Sequence, residues 1–225
     1  EKIFFIKYEY WYFFLREIKK QNIPVYLVSA IFRKNQMFFT FYGNWFRKML
    51  AFFDHIFVQN ASSRDLLRSY DIDCVSVTGD TRFDRVKRIA EKAEPAEAIE
   101  SFTNRAFLLV AGSTWPRDET ILLRYWKETG NCFKLILAPH EVNSQRLDGL
   151  MEKFSLGQVL KFSQINATNI HKASVILIDS MGMLASLYQY GHVAYVGGGF
   201  GKGIHNILEP ATFGLPIVFG PNHQK

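Results

Sequence analysis

The sequence predicts an α/β protein of two Rossmann-like lobes, each folded around a parallel sheet. Three observations lead to that class. Short apolar runs of strand length alternate with segments whose apolar residues recur at helical spacing, starting with 2–7, 12–20 and 24–30. The same alternation returns at residue 106 and runs to 219. Between the two, 86–104 is dominated by charged residues and alanine around Pro95, the composition of a linker. The expected organisation is a first lobe over 1–86, a linker over 87–104 and a second lobe over 105–225. With 48% apolar residues in 225, the chain can bury a core in each lobe.

In the first lobe, Lys2 to Lys7 reads as a strand, Tyr12 to Lys20 as an amphipathic helix and Pro24 to Ala30 as a second strand. This is the repeat unit of a parallel sheet. Glu9, in Tyr8-Glu9-Tyr10-Trp11, stands at the first strand's carboxyl end, where open α/β sheets take ligands. It equally suits a charge favoured by the following helix's dipole. Phe32 to Phe53 is dense in aromatic residues interleaved with Arg33, Lys34, Arg47 and Lys48. That composition fits an anionic lipid surface, with rings at headgroup depth and basic side chains on phosphates. The other reading is a core helix with solvated charges. Ile56 to Gln59 is a strand, Ser62 to Tyr70 a helix capped by Ser62 or Ser63, and Val75 to Thr78 a strand ending at Gly79-Asp80-Thr81-Arg82-Phe83-Asp84. Asp71-Ile72-Asp73 resembles the acidic pair that holds a metal in some sugar transferases. It precedes a strand instead of following one, so it reads as a turn.

In the second lobe, Ala106 to Ala111 is a buried strand running into Gly112-Ser113-Thr114-Trp115-Pro116 before a helix. Small residues, hydroxyls and backbone N–H groups there suggest an anion cradle. Leu135 to Ala138 ends in Pro139-His140-Glu141, with His140 either a structural cap or a ligand group. Ser174 to Asp179 is a strand, and Met181-Gly182-Met183 opens a helix to Tyr190. Val193 to Val196 and Leu215 to Phe219 are strands flanking a helix from Asn206 to Gly214. Five glycines in the seven residues 197–203 let backbone amides approach a phosphate. Four strand ends thus present their residues to one crevice. Walker A would need glycine at Val196 and a hydroxyl at Gly203, and no GxGxxG register fits, which implies another kind of nucleotide site. Asn206 and Glu209 have capping-box spacing, but a glutamate there could also accept both hydroxyls of a ribose.

The net charge of +6 favours an anionic partner: a nucleotide, an acidic lipid surface or nucleic acid. Cys74 and Cys132 read as reduced core residues of a cytosolic protein, without metal-ligand spacing. No apolar run approaches the ~20 residues of a spanning helix. The chain opens at Glu1 mid-element, as if cut from something longer.

Gly197-Gly198-Gly199, His205-Asn206-Ile207-Leu208-Glu209-Pro210-Ala211, Gly214-Leu215-Pro216 and Gly220-Pro221 together resemble the donor-site signature of 3-deoxy-D-manno-octulosonic acid (Kdo) transferases. The similarity continues collinearly through Met181-Gly182, Gly112-Ser113-Thr114, Gly79 to Asp84 and Tyr8 to Trp11, over nearly the whole chain. It implies a GT-B fold, two lobes with parallel sheets facing a central cleft. The implied enzyme is an inverting glycosyltransferase that moves Kdo from CMP-Kdo to the lipid A precursor in lipopolysaccharide biosynthesis. It also implies CMP contacts from Pro139 and His140, from Met181, Gly182 and Met183, and from Asn206, Ile207, Leu208 and Glu209. Gly112, Ser113, Thr114 and Gly199 would belong to the same donor site, and Glu9 and Arg82 would support the transition state.

Three positions depart from many relatives, which have arginine at His140, glutamate at Met183 and lysine at Arg82. The last change keeps the charge but alters its geometry. The family's general base, a glutamate in a glycine-containing loop, belongs to a region before Glu1. The reaction implied is direct displacement at the anomeric carbon by a sugar hydroxyl, with loop amides and Arg82 stabilising the departing CMP phosphate. No metal and no cofactor beyond the donor are implied. The expected partners are CMP-Kdo, the lipid A precursor and an anionic membrane surface, with no nucleic acid. The place of action would be the cytoplasmic face of the bacterial inner membrane, reached peripherally or by an anchor outside this sequence. Arg33, Lys34, Arg47 and Lys48 would face it. The alternatives are another GT-B enzyme using a UDP-sugar, transferase or epimerase, and a non-catalytic nucleotide- or membrane-binding fragment.

Overall fold

The computed structural model describes residues 1–93, 97–155 and 157–223. It divides into two units, Glu1–Asp84 and Arg85–Lys225. The first contains β1 (Ile3–Ile6), α1 (Tyr12–Lys20), β2 (Val25–Ala30), α2 (Asn44–Leu50), β3 (His55–Val58), α3 (Ala61–Arg68) and β4 (Val75–Val77), and α4 (Thr81–Glu91) leads out of it. The sheet order is β1-β2-β3-β4 and every pair is parallel. Alternation explains which face is buried: Phe5, Val25, Leu27, Ile56, Val58 and Val75 point into one core, which Leu15 and Ile18 of α1 and Leu67 of α3 complete. Lys19 and Lys20 in the last turn of α1 suit its dipole.

Local chemistry corrects one sequence reading here. Asn60 caps α3, accepting from the Ser63 N–H at 2.8 Å, in place of Ser62 or Ser63. Ser63 is buried instead, its hydroxyl accepting from the Phe32 N–H at 2.9 Å, so it ties down the start of the aromatic segment. Asp71, at φ 61°, turns the chain from α3 to β4.

The second unit holds α5 (Glu97–Thr103), β5 (Leu108–Thr114), α6 (Pro116–Glu128), β6 (Lys134–Pro139), α7 (Ser144–Met151), β7 (Val159–Lys161), β8 (Val175–Leu177), α8 (Leu184–Leu187), β9 (Val193–Val196), α9 (Leu208–Thr212) and β10 (Ile217–Phe219). Its parallel sheet has the order β10-β9-β5-β6-β8-β7. The chain builds outward from β5 through β6, then returns to place β9 on the other side of β5. The carboxyl ends of β5 and β9 therefore form a topological switch point, where such sheets bind ligands. Leu108, Val110, Leu135, Ile136, Leu137, Ile176 and Leu177 are fully buried, so both faces of these central strands are covered.

Much of 87–104, expected as a linker, is helical in α4 and α5; Ile99 and Phe102 of α5 enter the second unit's core. Pro95 lies outside the described residues. Cys74 is half-buried and Cys132 is exposed, so Cys132 is not the core residue its apolar neighbours suggested. Among the described residues no helix is long and apolar enough to cross a membrane.

Candidate functional site

At the switch point, Gly112, Ser113 and Thr114 do not form the expected anion cradle. They are the last residues of β5: Thr114 is buried and its hydroxyl donates to Glu119 Oε1 at 3.1 Å. Gly112 is glycine because a Cβ would run into the Tyr188 hydroxyl, and its carbonyl accepts from the Gly197 N–H at 2.9 Å. The residue that organises the site is Asp118, at the third position of α6 after Trp115 and Pro116. Its buried carboxylate accepts from the Trp115 N–H at 2.9 Å, the Gly198 N–H at 3.0 Å and the Tyr195 hydroxyl at 2.6 Å. Burial and the Asp118 carboxylate push the Tyr195 phenol upward, which keeps it a donor. Proline at the first helical position with an acidic residue two further on is a helix-start signal, and it was the only sequence cue to Asp118. Beside it, burial raises the Glu119 carboxyl although Arg146 at 2.7 Å and Thr114 pull the other way.

The glycine-rich loop is clamped from the other side by Asn222. The Asn222 N–H donates to Gly199 O at 2.9 Å, its side-chain amide donates to Gly201 O at 2.9 Å, and its carbonyl accepts from the Ile204 N–H at 3.1 Å. A Cβ on Gly199 would sit 2.6 Å from the Gly220 amide nitrogen, so Gly199 is required by loop-to-loop packing. Gly198, at φ 92°, lies in the left-handed region.

Between this loop and the start of α6 lies a cavity of about 570 Å³, lined among others by Trp115, Arg117, Gly198, Phe200, Lys202 and His205. Trp115 and His205 line it, and His140, outside the lining, stacks on both. Trp115 stacks on His140 with centroids 4.8 Å apart, His140 stacks on His205 at 4.3 Å, and Trp115 Nε1–H donates to His205 Nε2 at 3.0 Å. The Arg117 guanidinium lies 5.7 Å from the Phe200 ring centroid. Aromatic faces, two basic side chains and loop amides suit a ligand that is planar at one end and anionic at the other.

Of the other expected donor-site residues, Pro139 is buried at the end of β6 while His140 is exposed beside it. Met181 is exposed and Gly182 has φ 89°, but the helix begins only at Leu184, and Met183 packs against the core. The expected helix from Asn206 to Gly214 shortens to Leu208–Thr212. Asn206 donates from Nδ2 to Glu209 Oε1 at 3.0 Å and accepts from the Leu208 N–H at 3.1 Å, so both side chains make the local contacts of a helix start. Ile207 and Leu208 are half-buried around that turn. Tyr188 is pushed upward mainly by burial and also by the Glu209 charge, which puts Glu209 near the Tyr188–Gly112 contact.

In the first unit, Glu9 is exposed after β1 and its carboxylate makes no hydrogen bond or ion pair among the described residues. Arg82, by contrast, is held. Its Nε and Nη2 reach Asp80 Oδ2 at 2.7 and 2.6 Å, and its N–H donates to Oδ1 at 2.9 Å. Burial raises the Asp80 carboxyl, but the Arg82 hydrogen bonds more than reverse this and leave it below the usual range.

The aromatic segment divides. Phe32, Phe38, Phe39 and Phe53 join the core, whereas Phe41 is 97% exposed and Tyr42 and Trp45 are exposed with it. Arg33, Lys34 and Lys48 are exposed, but Arg47 is engaged by its own chain. Its Nη1 donates to Phe38 O at 2.6 Å and its guanidinium lies 4.7 Å from the Tyr70 ring centroid. Three of the four basic residues are thus free to meet a surface, and Arg47 is a structural tie.

Comparison with known proteins adds the following. Residues 1–85 match a family model described as 3-deoxy-D-manno-octulosonic-acid transferase, almost the extent of the first unit. A 3-deoxy-D-manno-octulosonic acid transferase from Chlamydophila psittaci is 28% identical over 96% of this chain and 51% of its own length. One from Aquifex aeolicus is 29% identical over 91% of this chain and 52% of its own. The chain spans about half the length of the curated relatives it matches. The structure of a UDP-GlcNAc 2-epimerase from Neisseria meningitidis is similar in fold, with a TM-score of 0.51 at 17% identity over 83% of this chain and 50% of that one. Two units with parallel sheets agree with the α/β class expected from sequence, and these matches make the chain similar to 3-deoxy-D-manno-octulosonic acid transferases over most of its length.

Proposed function

We propose that this chain carries the donor-binding unit and part of the acceptor-binding unit of an inverting glycosyltransferase that moves Kdo from CMP-Kdo to the lipid A precursor. The observation that supports this most is the switch-point cavity, where the loop fixed by Asp118 and Asn222 meets a wall of Trp115 and His205, with His140 stacked on both rings. A pyrimidine ring suits the wall, and Arg117, Lys202 and loop amides suit the phosphate. In the first unit, Glu9 acts on the positive charge developing at the sugar and Arg82 on the negative charge of the departing phosphate. Calorimetry on the full-length gene product is expected to show CMP binding more tightly than UMP. Tighter UMP binding would move the reading to a UDP-sugar enzyme. In the same assay Glu209→Ala is expected to weaken CMP binding by ~1–3 kcal/mol, through loss of a hydrogen-bonded ribose. If the variant loses only thermal stability, Glu209 is a helix-start residue and nothing more.

The acceptor is a lipid, and the exposed part of the aromatic segment is the surface we assign to the membrane. Phe41, Tyr42 and Trp45 enter the headgroup layer while Arg33, Lys34 and Lys48 meet lipid phosphates. Each basic residue near an anionic surface contributes about 1 kcal/mol, so Lys34→Glu with Lys48→Glu is expected to weaken vesicle binding at least tenfold. Co-sedimentation with anionic vesicles at low and high salt measures it. Wild-type sedimentation of the double variant would remove this surface from the proposal.

A further inference from the structure

Lys7 follows β1 in the left-handed region, at φ 65°, an unfavourable conformation for a lysine that is held by its N–H donating to Val28 O at 2.9 Å. Held there, its side chain is only 25% exposed, yet the nearest carboxylate oxygen, Asp80 Oδ1, is 3.7 Å away. That is too long for a hydrogen bond, and no other acceptor for the ammonium occurs among the described residues. Asp80 is already engaged: besides the Arg82 fork and amide it accepts from the buried Ser29 hydroxyl at 3.3 Å. Two positioned cations therefore share one carboxylate whose side chain is 6% exposed, leaving a formal excess of one positive charge within the Lys7–Asp80–Arg82 cluster. A half-buried lysine whose ammonium has three donors and no hydrogen-bond acceptor in the fold can take an incoming anion as its partner. Arg82 is open on the same side of the bookkeeping: its side chain is 57% exposed, and Nη1 takes no part in the Asp80 fork.

We propose that Lys7 and Arg82, set against each other on Asp80, form a two-armed site for one oxyanion of the substrate, a phosphate or a carboxylate, with Asp80 as a positioning residue. This deepens the function proposed above and rests on Arg82 facing substrate.

The test titrates inorganic phosphate and acetate calorimetrically into the full-length protein and its variants, with melting temperature as the folding control. Lys7→Gln and Arg82→Gln are each expected to weaken oxyanion binding roughly tenfold. Lys7→Arg restores it. Which of the two probes binds more tightly, and whether Lys7→Gln raises the Michaelis constant of donor or of acceptor, identifies the oxyanion's source. Asp80→Asn separates positioning from charge. It makes the site more positive, so charge alone predicts tighter phosphate binding, whereas loss of positioning predicts weaker. Tighter binding in a folded Asp80→Asn overturns the positioning role. Wild-type affinity in Lys7→Gln, or no oxyanion binding by the wild type, overturns the site itself. Lys7-dependent oxyanion binding in a protein that fails to transfer Kdo would leave the site standing and remove the proposed function.

Discussion

Asp118→Ala is expected to be the most damaging single substitution in the second unit. It removes one buried carboxylate and leaves three donors, the Trp115 and Gly198 amides and the Tyr195 hydroxyl, without their acceptor. Each buried unsatisfied group costs about 1–3 kcal/mol, so a loss of at least ~3 kcal/mol follows even if solvent reaches some of them. For a unit of this size that is a fall of roughly 10 °C in melting temperature. The loop and the first turn of α6 lose their common anchor, so CMP binding should fall as well. Asp118→Asn is the control, because its amide oxygen can keep one or two of the donors while the charge is gone. Thermal melts and CMP calorimetry on both variants decide the matter. A melting temperature unchanged in Asp118→Ala would mean that Asp118 does not hold the loop.

Glu9→Gln is expected to lower Kdo transfer by ~10²-fold while leaving melting temperature and CMP affinity unchanged, because an interaction formed in the transition state affects turnover alone. Glu9 is a clean probe since its carboxylate has no partner in the fold, so its loss costs no native contact. Arg82 is not clean. Arg82→Ala would strip Asp80 of its fork and confound catalysis with stability, so Arg82→Lys, which keeps the charge, is the better companion. Steady-state kinetics with CMP-Kdo and lipid acceptor give the answer. Equal losses of CMP binding and turnover in Glu9→Gln would make Glu9 a ground-state contact, and full activity would exclude it from the chemistry.

The strands were legible because burial imprints a period of two or a continuous apolar run, as in Val25 to Ala30 and Leu135 to Ala138. Neither α7 nor β7 was read from the sequence. The candidate site's glycine-rich loop was legible from sequence, but its contacts were not. Glycines in 197–203 mark close backbone approaches, but sequence does not say whether a ligand or another strand end makes the approach, and for Gly199 the partner is Gly220. Thr114 looked like a ligand hydroxyl because strand ends are uncertain by a residue or two, and β5 runs on through it. Asp118, Asn222 and the Lys7–Asp80–Arg82 arrangement depend on contacts between residues far apart in sequence. No local pattern reports those.

The division of the aromatic segment has a thermodynamic corollary for the proposed adsorption to a bilayer. A disordered basic arm must order its backbone as it lands, losing conformational entropy that subtracts from its affinity. Here Phe32, Phe38, Phe39 and Phe53 are already fixed in the core, and Arg47 pins the turn from inside. What remains to be lost is side-chain motion, at Phe41, Tyr42 and Trp45 and at the basic residues Arg33, Lys34 and Lys48. Adsorption should then resemble a rigid plate settling on a surface: the far-ultraviolet circular dichroism stays constant as vesicles are added, and the heat-capacity change reflects a few rings, without the larger signature of coupled folding.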